Sequence, residues 1–96
     1  MIKEIVIYKI KPDQAPGFSI ARSALAEELA ELPGFHSITT EVSTDDEHMF
    51  IDIALWRTAD DAKRAFEGFP KLKSAPALMA ALEGDPVFAG HFEANA

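Results

Sequence analysis

The chain has 96 residues, 48% hydrophobic and 26% charged, with a formal net charge of −7 at pH 7. This composition is typical of one globular domain, residues 1–96, and the negative charge argues against nucleic acid or an anionic membrane as partner. The sequence has no cysteine, which excludes disulfides, thiolate catalysis and cysteine-ligated metals. It shows no membrane-span pattern and no signal-peptide pattern, so we expect a cytoplasmic protein.

The first half of the sequence predicts a strand, a helix and a second strand. Residues 2–10 alternate with period two, which is typical of a strand. Residues 19–32 form a helix that ends at Pro33-Gly34, and four residues at helical spacing make its apolar stripe: Ala21, Leu25, Leu29 and Leu32. Its charged side chains are expected to point largely towards water: Arg22, Glu27, Glu28 and Glu31. Residues 35–42 are rich in β-branched side chains and form the second strand.

The second half predicts a strand, two helices and a final strand. A polar turn leads into the third strand, residues 49–56. Thr58 and Asp61 form a capping box at the start of a helix that ends at Pro70. A short helix over about residues 74–82 and a last strand over 87–93 complete the chain. The order β-α-β-β-α-β predicts an α+β, ferredoxin-like fold, with an antiparallel sheet of order 4-1-3-2 and the helices on one face.

The third strand is apolar on both of its faces. Ile51, Ile53 and Leu55 are expected to pack against the helices, as are Phe88 and Phe92 of the last strand. An antiparallel sheet with one face in water alternates apolar and polar residues, so we expect a second copy of the chain to cover the other face. Six apolar residues are predicted on that open face: Phe50, Trp56, Val6, Tyr8, Val87 and Ala89. A homodimer through this face would form a closed α/β barrel.

Three features resemble the dimeric α/β-barrel superfamily, and within it the antibiotic-biosynthesis-monooxygenase (ABM) type. They are the order of elements, the turn Pro33-Gly34-Phe35 before strand two, and the third strand ending in Trp56 before a capped helix. The opening MIKEIVIYKIKP is also similar to the stress-responsive barrel branch. The resemblance implies a homodimer with a pocket between sheet and helices or inside the barrel. It also implies one of several activities: oxygenation of polycyclic phenols without a cofactor, haem degradation or polyketide cyclisation.

Two of these activities do not fit the residues present. The haem-degrading branch needs an asparagine on strand one and a histidine after strand three, whereas the only asparagine is Asn95 and no histidine lies between Trp56 and His91. The cyclase-like branch uses histidines where this chain has Glu4 and Leu72. An oxygenase-like or ligand-binding barrel without a cofactor is therefore expected.

The candidate site is centred on Asp52, a carboxylate in an apolar strand. Period two places it on one face with Glu4, Tyr8, Trp56 and His91, and we expect Tyr8 near Asp52, and Glu4 near His91 and Trp56. A buried Asp52 with a raised pKa would serve as general base, removing a phenolic or enolic proton so that the carbanion reacts with oxygen. His91, oriented by Glu4, would move a second proton. The predicted substrate-binding residues are Trp56, Tyr8, Glu4, Phe50 and Phe66.

Structural interpretations of the same residues remain open. Asp52 would also suit a hydrogen-bonded structural role, Trp56 a dimer core, and His91 an exposed edge. His48 lies beside three acids, but a solvated hairpin turn explains that cluster, and no metal site is expected. Two functions follow. The first is a cofactor-independent monooxygenase, or related proton-transfer enzyme, acting on a small apolar aromatic or polyketide-like molecule. The alternative is a non-catalytic dimeric barrel that binds a small hydrophobic ligand or serves as a structural module.

Overall fold

The structure is a computed structural model that describes residues 1–95. Within them the chain forms four strands and three α-helices, with the following bounds: β1 Ile2–Lys9, α1 Ala15–Ala30, β2 Phe35–Val42, β3 Met49–Trp56, α2 Ala59–Gly68, α3 Ala75–Ala81 and β4 Phe88–Glu93. Short 3₁₀ turns at Pro12–Gln14 and Phe69–Lys71 precede α1 and follow α2. No helix in this part of the chain is long and apolar enough to cross a membrane.

The four strands form one antiparallel sheet in the order β2-β3-β1-β4. This is the predicted order 4-1-3-2 read from the opposite edge, so the predicted topology is confirmed. Strand β1 pairs with β3 on one side and with β4 on the other, which places Val6 opposite both Asp52 and Ala89. The central position of β1 therefore brings side chains from three strands onto one patch of the sheet.

The first helix begins earlier than the sequence pattern predicts. The helix covers residues 15–30. Pro16 does not prevent this earlier start, because it lies in the first turn of α1, where its missing N–H costs no hydrogen bond. The Thr58 half of the predicted capping box of α2 is confirmed, since Thr58 Oγ1 accepts a hydrogen bond from Asp61 N at 3.1 Å. Gly34 has a φ of +79°, and a Cβ there would collide with the Asp61 side chain, so this turn requires glycine.

The two faces of the sheet are used in the reverse of the predicted way. Trp56 is 1% exposed and Tyr8 is 5% exposed, and both pack on the side that carries the helices. Ile51, Ile53 and Leu55 alternate with them and lie on the face without helices, where they remain half-buried. The prediction that these three residues pack against the helices is wrong. Because β3 is apolar on both faces, its pattern alone does not indicate which face the helices cover.

The side chains of the last strand also point to the faces opposite to those predicted. Phe88 and Phe92 are 41% and 48% exposed and stack on each other with ring centroids 5.8 Å apart, on the face opposite the helices. Gly90 lies between them in the strand, and a Cβ there would meet the Phe88 ring at 2.8 Å. Val87 is 61% exposed and does not belong to the buried core. The apolar face that lacks a helix cover is therefore built from a different set of residues than the sequence predicts.

Candidate functional site

A cavity of about 310 Å³ lies between the sheet and the helices. The sheet contributes a wall of eight residues: Glu4, Val6, Tyr8, Ile38, Asp52, Ala54, Trp56 and Ala89. All three helices contribute apolar residues opposite that wall: Phe18, Leu25, Leu29, Ala65, Phe66, Leu78 and Met79. Phe66 and Met79 are 46% and 53% exposed, so they form part of the rim. The reversal of the sheet faces thus places the predicted polar residues in an intramolecular cavity, on the helix side of the sheet.

Asp52 is held by groups from three different elements. Its Oδ1 accepts a hydrogen bond from Tyr8 Oη at 3.1 Å and another from Thr40 Oγ1. Arg22 Nε, from α1, lies 3.6 Å from the same oxygen. Register explains two of these contacts, since Thr40 is directly opposite Asp52 on β2 and Tyr8 is its diagonal neighbour on β1. The predicted proximity of Tyr8 and Asp52 is confirmed.

Burial dominates the electrostatics of this cluster. The side chain of Asp52 is 16% exposed, and its removal from water raises the pKa of the carboxyl above the ordinary value. The Thr40 hydrogen bond, the Arg22 charge and the Tyr8 hydrogen bond each lower that pKa without cancelling the effect of burial. Burial also raises the pKa of Tyr8 strongly, with the neighbouring Asp52 charge adding to it. Tyr8 therefore stays protonated and donates a hydrogen bond to Asp52.

A second carboxylate, Glu4, lines the same cavity. Trp56 Nε1 donates a hydrogen bond to Glu4 Oε1 at 3.0 Å, and Glu4 lies opposite His91 in the pairing of β1 with β4. Burial raises the pKa of Glu4, the Trp56 hydrogen bond and the His91 charge lower it, and the Asp52 charge raises it. The predicted grouping of Glu4 with Trp56 and His91 is confirmed.

The structure brings five of the seven predicted site residues together in the cavity wall: Asp52, Glu4, Tyr8, Trp56 and Phe66. Phe50 lies beside Tyr8 on the same face of the sheet, stacked on it at a centroid distance of 5.9 Å and in contact with Phe18 of α1. His91 is an exposed residue whose ring contacts Phe66 edge-on at 5.6 Å. Neither Phe50 nor His91 belongs to the lining that the described residues form.

Sequence reasoning missed Thr40 and Arg22. Arg22 is predicted to point towards water, and this is wrong, because its side chain is 21% exposed and its Nε is buried without a hydrogen bond partner. A signal was present in the sequence. Arg22 lies four residues after Phe18 and three before Leu25, at the spacing of the buried stripe of α1. Its charge suggests a solvated position, whereas its place in the helix indicates a buried one.

The acidic turn between β2 and β3 is explained by local hydrogen bonds. Asp46 Oδ1 accepts from His48 N at 2.9 Å, and its Oδ2 lies 3.1 Å from Lys9 Nζ. Among residues 1–95 no group of three or more histidines and acids is arranged to hold a metal ion. This cluster is the predicted hairpin turn.

The described residues form an α+β fold with a ligand-sized space between the sheet and its helices. No protein-family model and no curated protein matches the sequence. Solved structures do match. SnoaB, a cofactor-independent oxygenase from Streptomyces nogalater, is 24% identical with a TM-score of 0.82, over 99% of this chain and 93% of its own. An antibiotic biosynthesis monooxygenase is 19% identical with a TM-score of 0.83, over 100% of both chains.

A third solved structure is also similar. A conserved protein from Methanosarcina mazei Go1 is 12% identical with a TM-score of 0.80, over 98% of this chain and 92% of its own. At these identities the likeness shows the fold, and it confirms the predicted ABM-like architecture. Because one fold hosts many functions, the activity has to be argued from the residues of the cavity.

Proposed function

We propose that the protein is a cofactor-independent monooxygenase, or a related proton-transfer enzyme, acting on a small apolar aromatic or polyketide-like molecule. The observation that carries this proposal is Asp52, a largely buried carboxylate with a raised pKa in the wall of an otherwise mainly apolar cavity of about 310 Å³. A volume of this size suits a small ligand. A raised pKa makes a carboxylate a stronger base at neutral pH, as proton abstraction requires.

The cavity offers a binding mode for a flat, apolar molecule. The faces or edges of Tyr8, Trp56 and Phe66 line it together with aliphatic side chains from all three helices. Aromatic side chains favour offset stacking or edge-on contact with a planar ligand. In this arrangement Phe50 stacks on Tyr8 from the side, and the aromatic residues of the lining hold the substrate against the wall that carries Asp52.

In the proposed reaction Asp52 removes a proton from an activated methylene or phenol of the substrate. The hydrogen bonds of Asp52 engage Oδ1, which leaves Oδ2 to act as the base. The carbanion gives one electron to O₂, and the two radicals combine into a peroxide. Protonation and loss of water then leave a carbonyl, so that CH₂ and O₂ become C=O and H₂O. The substrate supplies all four electrons, and no further reductant enters the balance.

His91 is assigned a proton-exchange role at the edge of the site. It lies opposite Glu4 on β4, it is exposed to solvent, and its ring contacts Phe66 at the rim. An imidazole can both accept and donate a proton, so this position suits transfer between solvent and the Glu4 end of the cavity. Replacing His91 should therefore slow turnover less than replacing Asp52 does.

The proposal is tested first with Trp56, the single tryptophan of the chain. Its fluorescence is titrated with anthrone-like phenols, and oxygen consumption is then measured for each phenol that binds. Saturable quenching followed by oxygen uptake is the expected result, with uptake lost in Asp52→Asn and kept in Asp45→Asn. The second variant removes the same charge from an exposed turn. Oxygen uptake that survives in Asp52→Asn would remove Asp52 from the role of base.

A second candidate function is supported by the apolar lining alone. A barrel that binds a small hydrophobic ligand without reaction requires the same cavity and the same aromatic contacts. In that case phenols bind saturably, no oxygen is consumed by the wild-type protein, and Asp52→Asn changes affinity only. Oxygen uptake by the wild-type protein is the observation that separates the two functions.

The proposed assembly is a homodimer through the face of the sheet that carries no helix. The apolar residues on this face come from three strands: Ile5, Ile7, Ile51, Ile53, Leu55, Phe88 and Phe92. A contiguous apolar face of this kind is a liability in a lone protomer, and a second copy covers it. Analytical ultracentrifugation should give a dimer, and Ile53→Glu should give a monomer.

A further inference from the structure

Two carboxylates and, among the described residues, no basic side chain line the cavity. Glu4 lies opposite Ala54 and Asp52 lies opposite Val6 in the pairing of β1 with β3. The two acids are thus diagonal neighbours on one face of the sheet, a relation that separates Cβ atoms by about 7–8 Å. They form a pair of acceptors along one wall.

Each of these carboxylates uses one oxygen for the protein. Glu4 Oε1 accepts from Trp56 Nε1, and Asp52 Oδ1 accepts from Tyr8 and Thr40. The hydrogen bonds that the described chain makes to these acids therefore leave Oε2 and Oδ2 for a ligand. Neither oxygen is among the fully buried atoms of the described chain, so a ligand hydroxyl in the cavity can reach it and donate a hydrogen bond to it.

The same wall is unfavourable for an anion. The nearest cation to Asp52 is Arg22, 3.6 Å from Oδ1, and Arg22 does not belong to the cavity lining. A ligand carboxylate would lose its hydration and meet two like charges, with no positive side chain of the lining to pair with. A ligand ammonium group would find partners but would have to leave water for a largely apolar space, whereas a hydroxyl is much less costly to bury.

We infer that the cavity selects uncharged ligands with two hydrogen-bond donors on one edge and rejects carboxylate-bearing analogues, with Glu4 and Asp52 as the two specificity-determining acceptors. This inference deepens the proposed function by assigning the ligand class of the same site. It is independent of oxygen chemistry, because it concerns recognition before any reaction.

The test is a calorimetric comparison of three naphthalene ligands at pH 7.5. The first is 2,7-dihydroxynaphthalene, with two hydroxyls on one edge, the second is 2-naphthol, and the third is 7-hydroxynaphthalene-2-carboxylate. We expect the dihydroxy compound to bind about tenfold more tightly than 2-naphthol, and the carboxylate to bind about ten- to thirtyfold more weakly than the dihydroxy compound. The protein variants are Glu4→Gln and, as a charge-matched control, Glu67→Gln on the exposed surface of α2.

Glu4→Gln keeps an oxygen for Trp56 Nε1 but removes the charge. The penalty, which is the ratio of the affinities for the dihydroxy and the carboxylate ligand, should therefore shrink several-fold. Glu67→Gln should leave the penalty unchanged. Equal or tighter binding of the carboxylate ligand to the wild-type protein would overturn the inference, as would the same penalty in Glu4→Gln. Failure of all three ligands to bind would overturn it together with the proposed function. Selective binding without oxygen uptake from any phenol would remove the monooxygenase proposal and leave this inference standing.

Discussion

The two faces of the sheet are both rich in apolar side chains, and they differ in what covers them. The helix side holds Tyr8 and Trp56 together with two carboxylates around a cavity, whereas the open side carries aliphatic residues and the stacked pair Phe88 and Phe92. Polar groups on the helix side are fixed by hydrogen bonds within one chain. Because successive side chains of a strand point to opposite faces, one strand can supply cavity residues to one face and apolar interface residues to the other.

The largest expected loss of stability follows from truncating Trp56, on the helix side of the sheet. Trp56→Ala removes an indole that is 1% exposed and should lower the free energy of unfolding by about 3–5 kcal/mol. Its matched partner is Leu55→Ala, one residue away on the open face. That change should cost only about 1 kcal/mol in the isolated protomer, and its effect should depend on protein concentration because it acts through the proposed dimer.

Urea unfolding at two protein concentrations measures both effects. A concentration-dependent loss in Trp56→Ala that matches that of Leu55→Ala would contradict the assignment of Trp56 to the intramolecular side. Equal, concentration-independent costs for the two variants would contradict the proposed role of the open face.

The next effect concerns Asp52 and separates catalysis from stability. Asp52→Asn should lower kcat by about 10²–10⁴-fold if Asp52 is the base. The pKa of Asp52 is raised in the folded state, so the folded protein binds this proton more tightly than the unfolded chain does. Ionisation therefore costs stability as pH rises from the unfolded value towards the folded one. The asparagine variant should accordingly be as stable as the wild-type protein at pH 7, or more stable.

Thermal unfolding of both proteins at pH 4 and pH 7 checks the direction of this stability difference. A marked loss of stability at pH 7 in Asp52→Asn would favour a structural role for the carboxylate. Retained stability together with lost oxygen uptake would support the assignment of Asp52 as general base.

A smaller effect is expected at Arg22, which connects α1 to the carboxylate. Its charge lowers the pKa of Asp52, so Arg22→Met should raise that pKa and shift the acidic limb of the kcat/KM profile to higher pH. Arg22→Lys should restore part of the shift, since it returns the charge with different geometry. An unchanged acidic limb in Arg22→Met would show that the arginine does not control the ionisation of Asp52.

The sequence predicted which residues share a face but not which face meets the helices. Period two determines that Glu4, Tyr8, Asp52 and Trp56 stand together, and the topology places their strands side by side, so the Tyr8–Asp52 contact was predictable. The direction of the face depends on how the helices dock, and β3 is apolar on both sides. Local pattern contains no information to choose between the two.

The contacts made by charged residues of α1 were predictable only in part. Arg22 lies at a buried spacing, but its residue type favours water, and the decision depends on a carboxylate 30 residues later in the sequence. Tertiary partners of this kind change the position expected from residue type alone, because a buried charge becomes acceptable once a counter-charge meets it.

Glu28 provides the smallest expected effect and the most local test of how the helix layer closes over the cavity. Its two oxygens accept hydrogen bonds from Lys73 N at 2.7 Å and Ser74 N at 2.9 Å, just before α3 begins. Bonds with Ser74 lower the pKa of Glu28 most, with Lys73 adding to the effect. These contacts connect α1 to α3, the helix that contributes Leu78 and Met79 to the cavity.

A lowered folded pKa means that the carboxylate form stabilises the fold. This contribution is fully present above the unfolded value of 4.5 and is lost as pH falls through the folded pKa. Glu28→Gln should therefore have a lower melting temperature than the wild-type protein at pH 7, with a gap that narrows below pH 4.5. Glu27→Gln, on the exposed side of α1, provides the control. A gap of constant size at every pH would mean that the hydrogen-bond geometry of Glu28, and not its charge, secures the start of α3.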